Sequence, residues 1–332
     1  MAVNVARFRH GGSIGWGVVD GGAVHPIAAE LPTTATFVEQ AAPAVLAGDA
    51  PTTDAIGIDD VEVLCPITSN QQFVCQAINY RSHMAESGLD PASSPFNVFF
   101  RKASSCLTAA GDDVIVPAHV ELCDYEVEIG LVLRRIVGGP TTITADGLTD
   151  HVAGLVVVDD VSARDVQLAD GQFYRGKSYR TFGPVGPWLT LVDADDLARF
   201  DELRLRLSVN GELRQDGSPV DMIHSPAASL TELSAVQDWG PGDLLATGTP
   251  GGCALQAPPR PIAAAIQLVS PKRRQALVRK AAARNGRRLV AGDLVTASVR
   301  TDDGEIDLGE QRTNVVRAAP PRNAREMNKA PT

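Results

Sequence analysis

The chain has 332 residues, a formal net charge of −10, 44% hydrophobic residues and 21% charged residues. That is enough apolar sequence for a sizeable core in one large domain or two modest ones, and the acidic balance excludes a general nucleic-acid footprint. No apolar run approaches membrane-spanning length, and MAVNVARFRHGG lacks an apolar targeting core, so a cytoplasmic protein without membrane partners is expected.

Residues 3–28 read as short strands separated by glycine turns, with Asp20-Gly21-Gly22 as a hairpin signal. A short helix over 34–48 and a loop over 52–60 follow, and VEVLCPI (61–67) reads as a strand leading out of a small N-terminal module, residues 1–65. From residue 66 the pattern changes. RSHMAESG suits a short helix ending at Gly88, and PASSPFNVFFRKASSC is a loop and a strand. DDVIVP and YEVEIGLVLRR are strands, and TADGLTDHVAGLVVVDD reads as a helix followed by a buried strand. LRLRLSVNGELRQD is a strand pair turning at Asn210-Gly211, SPAASLTELSAVQDW is helical, and GDLLATGTPGG is a strand entering a glycine-rich loop. Further strands run to about residue 317. Many strands, few helices and no regular βαβ alternation give an α+β, β-rich class. Residues 319–332 read as a flexible tail.

Between Leu255 and Arg288 there are nine basic residues and no acidic one. Ser270 as N-cap, Pro271 at the first turn and Gly286 as a stop predict a helix on an insertion. Such a helix either is simply solvated, meets an acidic subunit surface, or forms a cationic lid for an anionic substrate. The five cysteines, Cys65, Cys75, Cys106, Cys123 and Cys253, are scattered and contain no C-x-x-C, which suits reduced thiols buried as small hydrophobes.

Four stretches carry chemistry. In CDYEVEIG (123–130) strand alternation puts Asp124, Glu126 and Glu128 on one face. Like charges at that spacing either lie on a wet edge or are neutralised by a hard divalent cation. In VVVDDVSARDVQ (156–167) a buried strand ends in Asp159 and Asp160, with Arg164 and Asp165 next. In NYRSHMAE (79–86), His83 and Glu86 share a helix face, and a carboxylate beside an imidazole makes a general base for water; a surface pair is the alternative. In GKSYRTFGPVGPW, Lys177 could steady an oxyanion or enolate or simply be exposed. The small residues of TGTPGG (247–252) either let backbone N–H groups approach an anion or make a tight turn.

Taken in this order, the stretches resemble the fumarylacetoacetate hydrolase family. The matching segments are AINYRSHMAE, the Pro-Phe…Phe-x-x-Lys run to Lys102, DYEVEIGLVL, AGLVVVDDVSARDVQ, GKSYRTFGPVGPW, VNGELRQDG…DMIH, PGDLLATGTPGG and GDLV…GEQRTNVV, covering roughly 66–317. The resemblance implies a catalytic domain over 66–318 of mixed sheets wrapped as a β-roll, usually homodimeric. It implies Mg²⁺ or Mn²⁺, or Ca²⁺, held by Glu126, Glu128 and Asp160, with Asp124 supporting and Asp159 as the neighbouring competitor. All-carboxylate ligation suits those hard ions. It further implies a small anionic 2-oxo or diketo acid as substrate, with Tyr80, Arg164, Gln167 and the loop Thr247, Gly248 and Thr249 positioning it. His83 oriented by Glu86 would deprotonate water, and Lys177 would stabilise the departing enolate, cleaving a C–C bond as in aromatic-compound catabolism. A decarboxylase, hydratase or tautomerase on the same site is the competing expectation. Arg180, Gln76, His224 and the long 255–288 insertion depart from the family pattern, which weakens transfer of substrate identity.

Overall fold

The computed structural model describes residues 1–90, 97–255 and 286–319, and the isolated positions 269, 270, 273, 276 and 277. Most of the expected basic helix with its proposed N1 Pro271, and the tail from 320 on, lie outside the described residues.

Two mixed sheets dominate. The larger has thirteen strands. Its central run places Val3–His10, Leu189–Leu191, Val152–Asp159, Val127–Leu133, Leu244–Ala246, Phe73–Ala77 and Val98–Lys102 side by side in that order. Most neighbours are antiparallel, but Leu244–Ala246 runs parallel to Phe73–Ala77. The second sheet has five strands: Glu212–Gly217, Arg204–Val209, Leu294–Arg300, Asp307–Arg317 and Val114–Val116. Its first hairpin turns where expected, with Asn210 at φ 53° and Gly211 at φ 80°, both in the left-handed region that tight hairpins need.

The N-terminal strands are built into the large sheet. Val3–His10 pairs with Ser13–Asp20 on one side and with Leu189–Leu191 on the other, opposite Val3↔Leu191 to Val5↔Leu189. The helices Thr34–Gln40 and Ala42–Leu46 pack beneath it; Phe37 stacks on Trp16 with ring centroids 4.3 Å apart.

This layering explains the apolar run after the E-x-E stretch. On Val127–Leu133, the side chains of Val127, Ile129, Leu131 and Leu133 enter the core shared with Leu205, Leu207, Val295 and Val299 of the second sheet. Val132, on the opposite face, joins Val156, Val158, Leu244 and Ala246 in a core closed by Trp16 and Phe37. A strand covered on both faces reads as continuous hydrophobics. Gly130 is required there: a Cβ would lie 2.6 Å from a Val156 methyl and 2.8 Å from a Leu244 methyl.

Two local expectations change. The helix expected over TADGLTD is a single 3-10 turn, Leu148–Asp150, because the Thr144 hydroxyl captures the Gly147 N–H at 3.2 Å and closes a turn. The E-x-E stretch is not one continuous strand either. Cys123–Asp124 pairs with Ser162–Ala163, the ladder breaks at Tyr125 and Glu126, and Val127–Leu133 then pairs with Val152–Asp159. The break is bridged from Asp159, whose Oδ1 accepts the Glu126 N–H at 2.8 Å, and from Asp160, whose N–H donates to the Glu126 carbonyl at 2.9 Å. Both chemistry-bearing segments thus reach the same seam in the sheet.

Candidate metal centre and active site

At that seam Glu126, Glu128 and Asp160 each offer a carboxylate oxygen within 4.8 Å of the others, and all three are buried. The wet-edge reading of the carboxylate face is excluded by that burial. What neutralises the face is a ring of cations. Lys177, on the short helix Tyr174–Lys177, donates to Asp160 Oδ2 at 2.5 Å and also to Glu126 Oε2. Lys102, at the end of Val98–Lys102, donates to Asp160 Oδ1 and to the Phe182 carbonyl at 2.6 Å. Arg164, first residue of the helix Arg164–Asp170, reaches Asp124 Oδ2 through Nε at 2.8 Å and Glu126 Oε1 through a terminal nitrogen. Another terminal nitrogen of Arg164 meets the Gln167 side-chain oxygen at 3.2 Å.

Asp124 faces the cluster but is fully occupied. It accepts N–H groups from Tyr125 at 2.9 Å, Ala254 at 2.7 Å and Leu255 at 3.0 Å, besides Arg164. It therefore ties the strand to the chain beyond the glycine loop. Asp159 is turned to the Glu126 N–H, and its second oxygen has no hydrogen-bond partner among the described residues.

The electrostatics separate the carboxylates. Burial opposes ionisation of Glu126, but Arg164 and Lys177 outweigh it and hold its carboxyl at about 2. Among the described residues no basic side chain pairs with Glu128. Burial first, then Asp160 and Glu126, push its carboxyl well above the ordinary range, countered by Lys177 and the Gly248 N–H. Burial likewise pushes Asp159 up to about 7. Burial lowers the Lys177 and Lys102 ammonium groups, yet their carboxylate partners override it and leave both raised.

Three oxygen ligands converging in a water-poor site, one of them without a cationic partner, fit a hard divalent ion such as Mg²⁺ or Mn²⁺. Glu126, Glu128 and Asp160 would hold it.

Above the triad lies the helix Arg81–Glu86, following Ile78, a β-branched residue at φ 55°. Its His83 is buried, and burial lowers the imidazole from its ordinary value. The expected His83–Glu86 hydrogen bond is not made among the described residues. Glu86 turns outward to accept the Gly252 N–H at 2.8 Å, so it braces the glycine loop and does not orient the imidazole. The neighbour at His83 Nδ1 is the thiol of Cys253, at 3.7 Å. Tyr80 is wholly buried, with a hydroxyl that has no hydrogen-bond partner among the described residues.

The TGTPGG loop does meet an anion through backbone N–H, but the anion is the protein's own. Gly248, at φ 92°, donates to Glu128 Oε2 at 2.9 Å. The Thr247 and Thr249 hydroxyls donate to the carbonyls of Ile129 and Val127, each at 2.9 Å, continuing the sheet as side-chain rungs. The three residues thus shape the strand that carries Glu128, and the expected free backbone donors for a substrate carboxylate are not found at Gly248.

Two residues essential to this geometry escaped the sequence reading as site residues. Gln215, on the strand Glu212–Gly217, is buried; its oxygen accepts the Val127 N–H at 3.0 Å and its nitrogen donates to Thr249 Oγ1 at 2.9 Å and the Pro250 carbonyl at 3.0 Å. Lys102 was visible only as the end of a Phe-x-x-Lys run. Of the departures, Gln76 is committed to Asn97 and to Ser229, whose hydroxyl donates to it at 3.1 Å, whereas Arg180 is exposed. All five cysteines are free thiols.

Residues 72–316 match the family model for the fumarylacetoacetate (FAA) hydrolase C-terminal domain, and residues 5–66 match an Rv2993c-like N-terminal model. Oxaloacetate tautomerase YisK of Bacillus subtilis is 36% identical over 199 residues, 59% of this chain and 64% of that protein, so the match spans just under two thirds of it. The crystal structure of 2-hydroxyhepta-2,4-diene-1,7-dioate isomerase from Mycobacterium marinum matches with a TM-score of 0.69 at 25% identity, covering 96% of this chain and 99% of that one. Maleylpyruvate hydrolase from Sphingobium sp. SYK-6, in complex with manganese(II) and pyruvate, shares the fold at 23% identity and a TM-score of 0.67, covering 95% and 100%. With the carboxylate triad on a mixed-sheet fold and the family model spanning most of the sequence, the chain belongs to the fumarylacetoacetate hydrolase family.

Proposed function

We propose that this protein is a divalent-metal-dependent hydrolase that cleaves a C–C bond in a small diketo acid of the acylpyruvate type. The observation that carries the reading is the buried triad Glu126, Glu128 and Asp160 beside the two buried lysines and the neutral-leaning His83. Glu126, Glu128 and Asp160 would hold a hard divalent ion, which would supply Lewis-acid polarisation of a carbonyl. The remaining work falls to the chain. Lys177, already held at Asp160 and Glu126, supplies positive charge at the developing enolate oxygen. His83 accepts a proton from water, which its depressed basicity leaves it free to do near neutrality. The burial of the triad, the two lysines and His83 keeps bulk water from them. The active form is proposed to be a cytoplasmic homodimer.

A second reading, a keto–enol tautomerase acting through the same site, is favoured by the missing His83–Glu86 hydrogen bond and by the name of the Bacillus subtilis relative. It needs enolate formation but no activated water. Turnover of acylpyruvates and oxaloacetate, with Mn²⁺ or with chelator and with products identified by mass, separates the two. Paired acids from an acylpyruvate, lost with chelator, support the hydrolase. Keto–enol exchange without cleavage replaces it with the tautomerase, and turnover indifferent to chelator overturns both.

A further inference from the structure

The carboxylate triad is not the whole ligating surface of the pocket. His83, Cys253 and Glu126 form a second group, all buried, whose nitrogen, sulfur and oxygen atoms lie within 4.8 Å of one another. The two groups meet at Glu126 and differ in character: one is all oxygen, the other is mixed nitrogen, sulfur and oxygen.

The spacing between sulfur and nitrogen is informative. Zn–S bonds of about 2.3 Å and Zn–N bonds of about 2.0–2.1 Å, opened to a tetrahedral angle, separate the two ligand atoms by roughly 3.6 Å. Cys253 Sγ and His83 Nδ1 stand 3.7 Å apart. In the absence of an ion that separation holds a weak thiol–imidazole contact, and it is also close to the bite of one tetrahedral ion. The pair is brought together by separate elements: His83 by the helix Arg81–Glu86, and Cys253 by the glycine loop that Glu86 and Gln215 brace.

We propose that His83, Cys253 and Glu126 form a second, thiophilic metal site for a borderline ion such as Zn²⁺ or Co²⁺, distinct in chemistry from the all-carboxylate site. Binding forms a metal–thiolate bond and releases the Cys253 proton to solvent. No redox change is involved. Imidazole and thiolate select zinc-like ions over Mg²⁺, so the two sites discriminate by ligand softness. Occupancy takes the His83 lone pair and draws Glu126 away from Arg164 and Lys177. If His83 and Glu126 act as proposed above, an ion here inhibits the enzyme; that consequence rests on the proposed function, whereas the binding itself does not.

The test is titration of the Mg²⁺-loaded full-length protein with Co²⁺, read by the near-ultraviolet thiolate-to-cobalt charge-transfer absorption and by proton release. The expected result is a thiolate band that saturates at one ion per chain in the wild type and is absent in Cys253→Ala. Circular dichroism verifies folding, and Cys253→Ser, which preserves size, serves where alanine does not fold. His83→Gln should keep the thiolate but weaken Co²⁺ binding at least tenfold. No thiolate band in the wild type, or an undiminished band in the folded Cys253 variant, overturns the proposal. Activity is followed in the same samples: a band without inhibition leaves the site standing and removes the assigned roles of His83 and Glu126.

Discussion

Replacing Lys102 by methionine separates the two ways this pocket can be neutralised. The lysine is buried, pairs with Asp160 and also satisfies the Phe182 carbonyl at 2.6 Å. Removing one partner of a buried ion pair costs about 3–5 kcal/mol because a charge is left uncompensated. Asp160 keeps Lys177 at 2.5 Å, so the lower end, about 3 kcal/mol, is expected for the metal-free protein. With a divalent ion present, that ion supplies the missing charge at Asp160, and the cost falls. If it falls by about 1.4 kcal/mol or more, the thermodynamic cycle requires roughly tenfold tighter metal binding by the variant. The assay is urea unfolding with chelator and with saturating Mn²⁺, together with calorimetric Mn²⁺ titration of both proteins. The expected outcome is a less stable apo-protein that binds Mn²⁺ more tightly. Equal destabilisation in both conditions with unchanged or weaker affinity would refute the placement of the ion beside Asp160.

Other changes test the scaffold and the base. Gln215→Leu leaves the buried Val127 N–H and the Pro250 carbonyl without partners, so a loss of about 2–4 kcal/mol is expected in urea unfolding; a loss under about 0.5 kcal/mol would show that the loop is held otherwise. Gly130→Ala overpacks Val156 and Leu244 and should cost about 1–3 kcal/mol, measured the same way. Because burial lowers the His83 imidazole below its ordinary value, kcat/KM should rise with pH along a limb below that value and be flat at neutrality. His83→Ala should abolish the limb along with hydrolysis; a limb at or above the ordinary imidazole value counts against His83 as base. The same depression makes the unfolded chain bind the extra proton first, so His83 contributes a loss of stability as pH falls from the ordinary imidazole value toward the folded one.

How much of this was legible in the sequence depends on whether the information is local. The Asn210-Gly211 hairpin, the apolar run after Glu128 and a helix within SPAASLTELSAVQDW, found as Pro226–Ser234, follow from residue type and spacing, and the structure has them. The meeting of the E-x-E and D-x-S-A-R-D stretches follows from the family resemblance; spacing alone left a wet edge open. What the sequence hid is pairing at a distance. Glu86 has the right helical spacing to reach His83, yet the loop N–H of Gly252 competes for it and wins. Gln215 reads as a solvated hairpin residue because its neighbours Glu212 and Asp216 are exposed, and only the fold shows that this polar side chain points inward. Cys253 reads as a small hydrophobe until its neighbour is known to be His83.

The same distinction bears on why the carboxylate face survives burial. Asp124, Glu126 and Asp160 each have a basic side chain in contact, from Arg164, Lys177 or Lys102, whereas Glu128 has the single N–H of Gly248. An extra lysine at Glu128 would complete the neutralisation and remove the reason for an ion to enter. Leaving one carboxylate short of a cation keeps the pocket receptive, at the cost of a carboxyl that burial and its neighbours drive toward its neutral form. On this argument Glu128→Gln should leave the metal-free protein at least as stable as the wild type, because the amide can still accept the Gly248 N–H, while Mn²⁺ affinity falls at least tenfold. Glu126→Gln should lower both, since Arg164 and Lys177 then lose a charged partner. Parallel chelator-treated unfolding curves and Mn²⁺ titrations of the two variants decide it: a Glu128→Gln protein less stable without metal than the wild type would mean that the pocket's charge is already balanced without an ion.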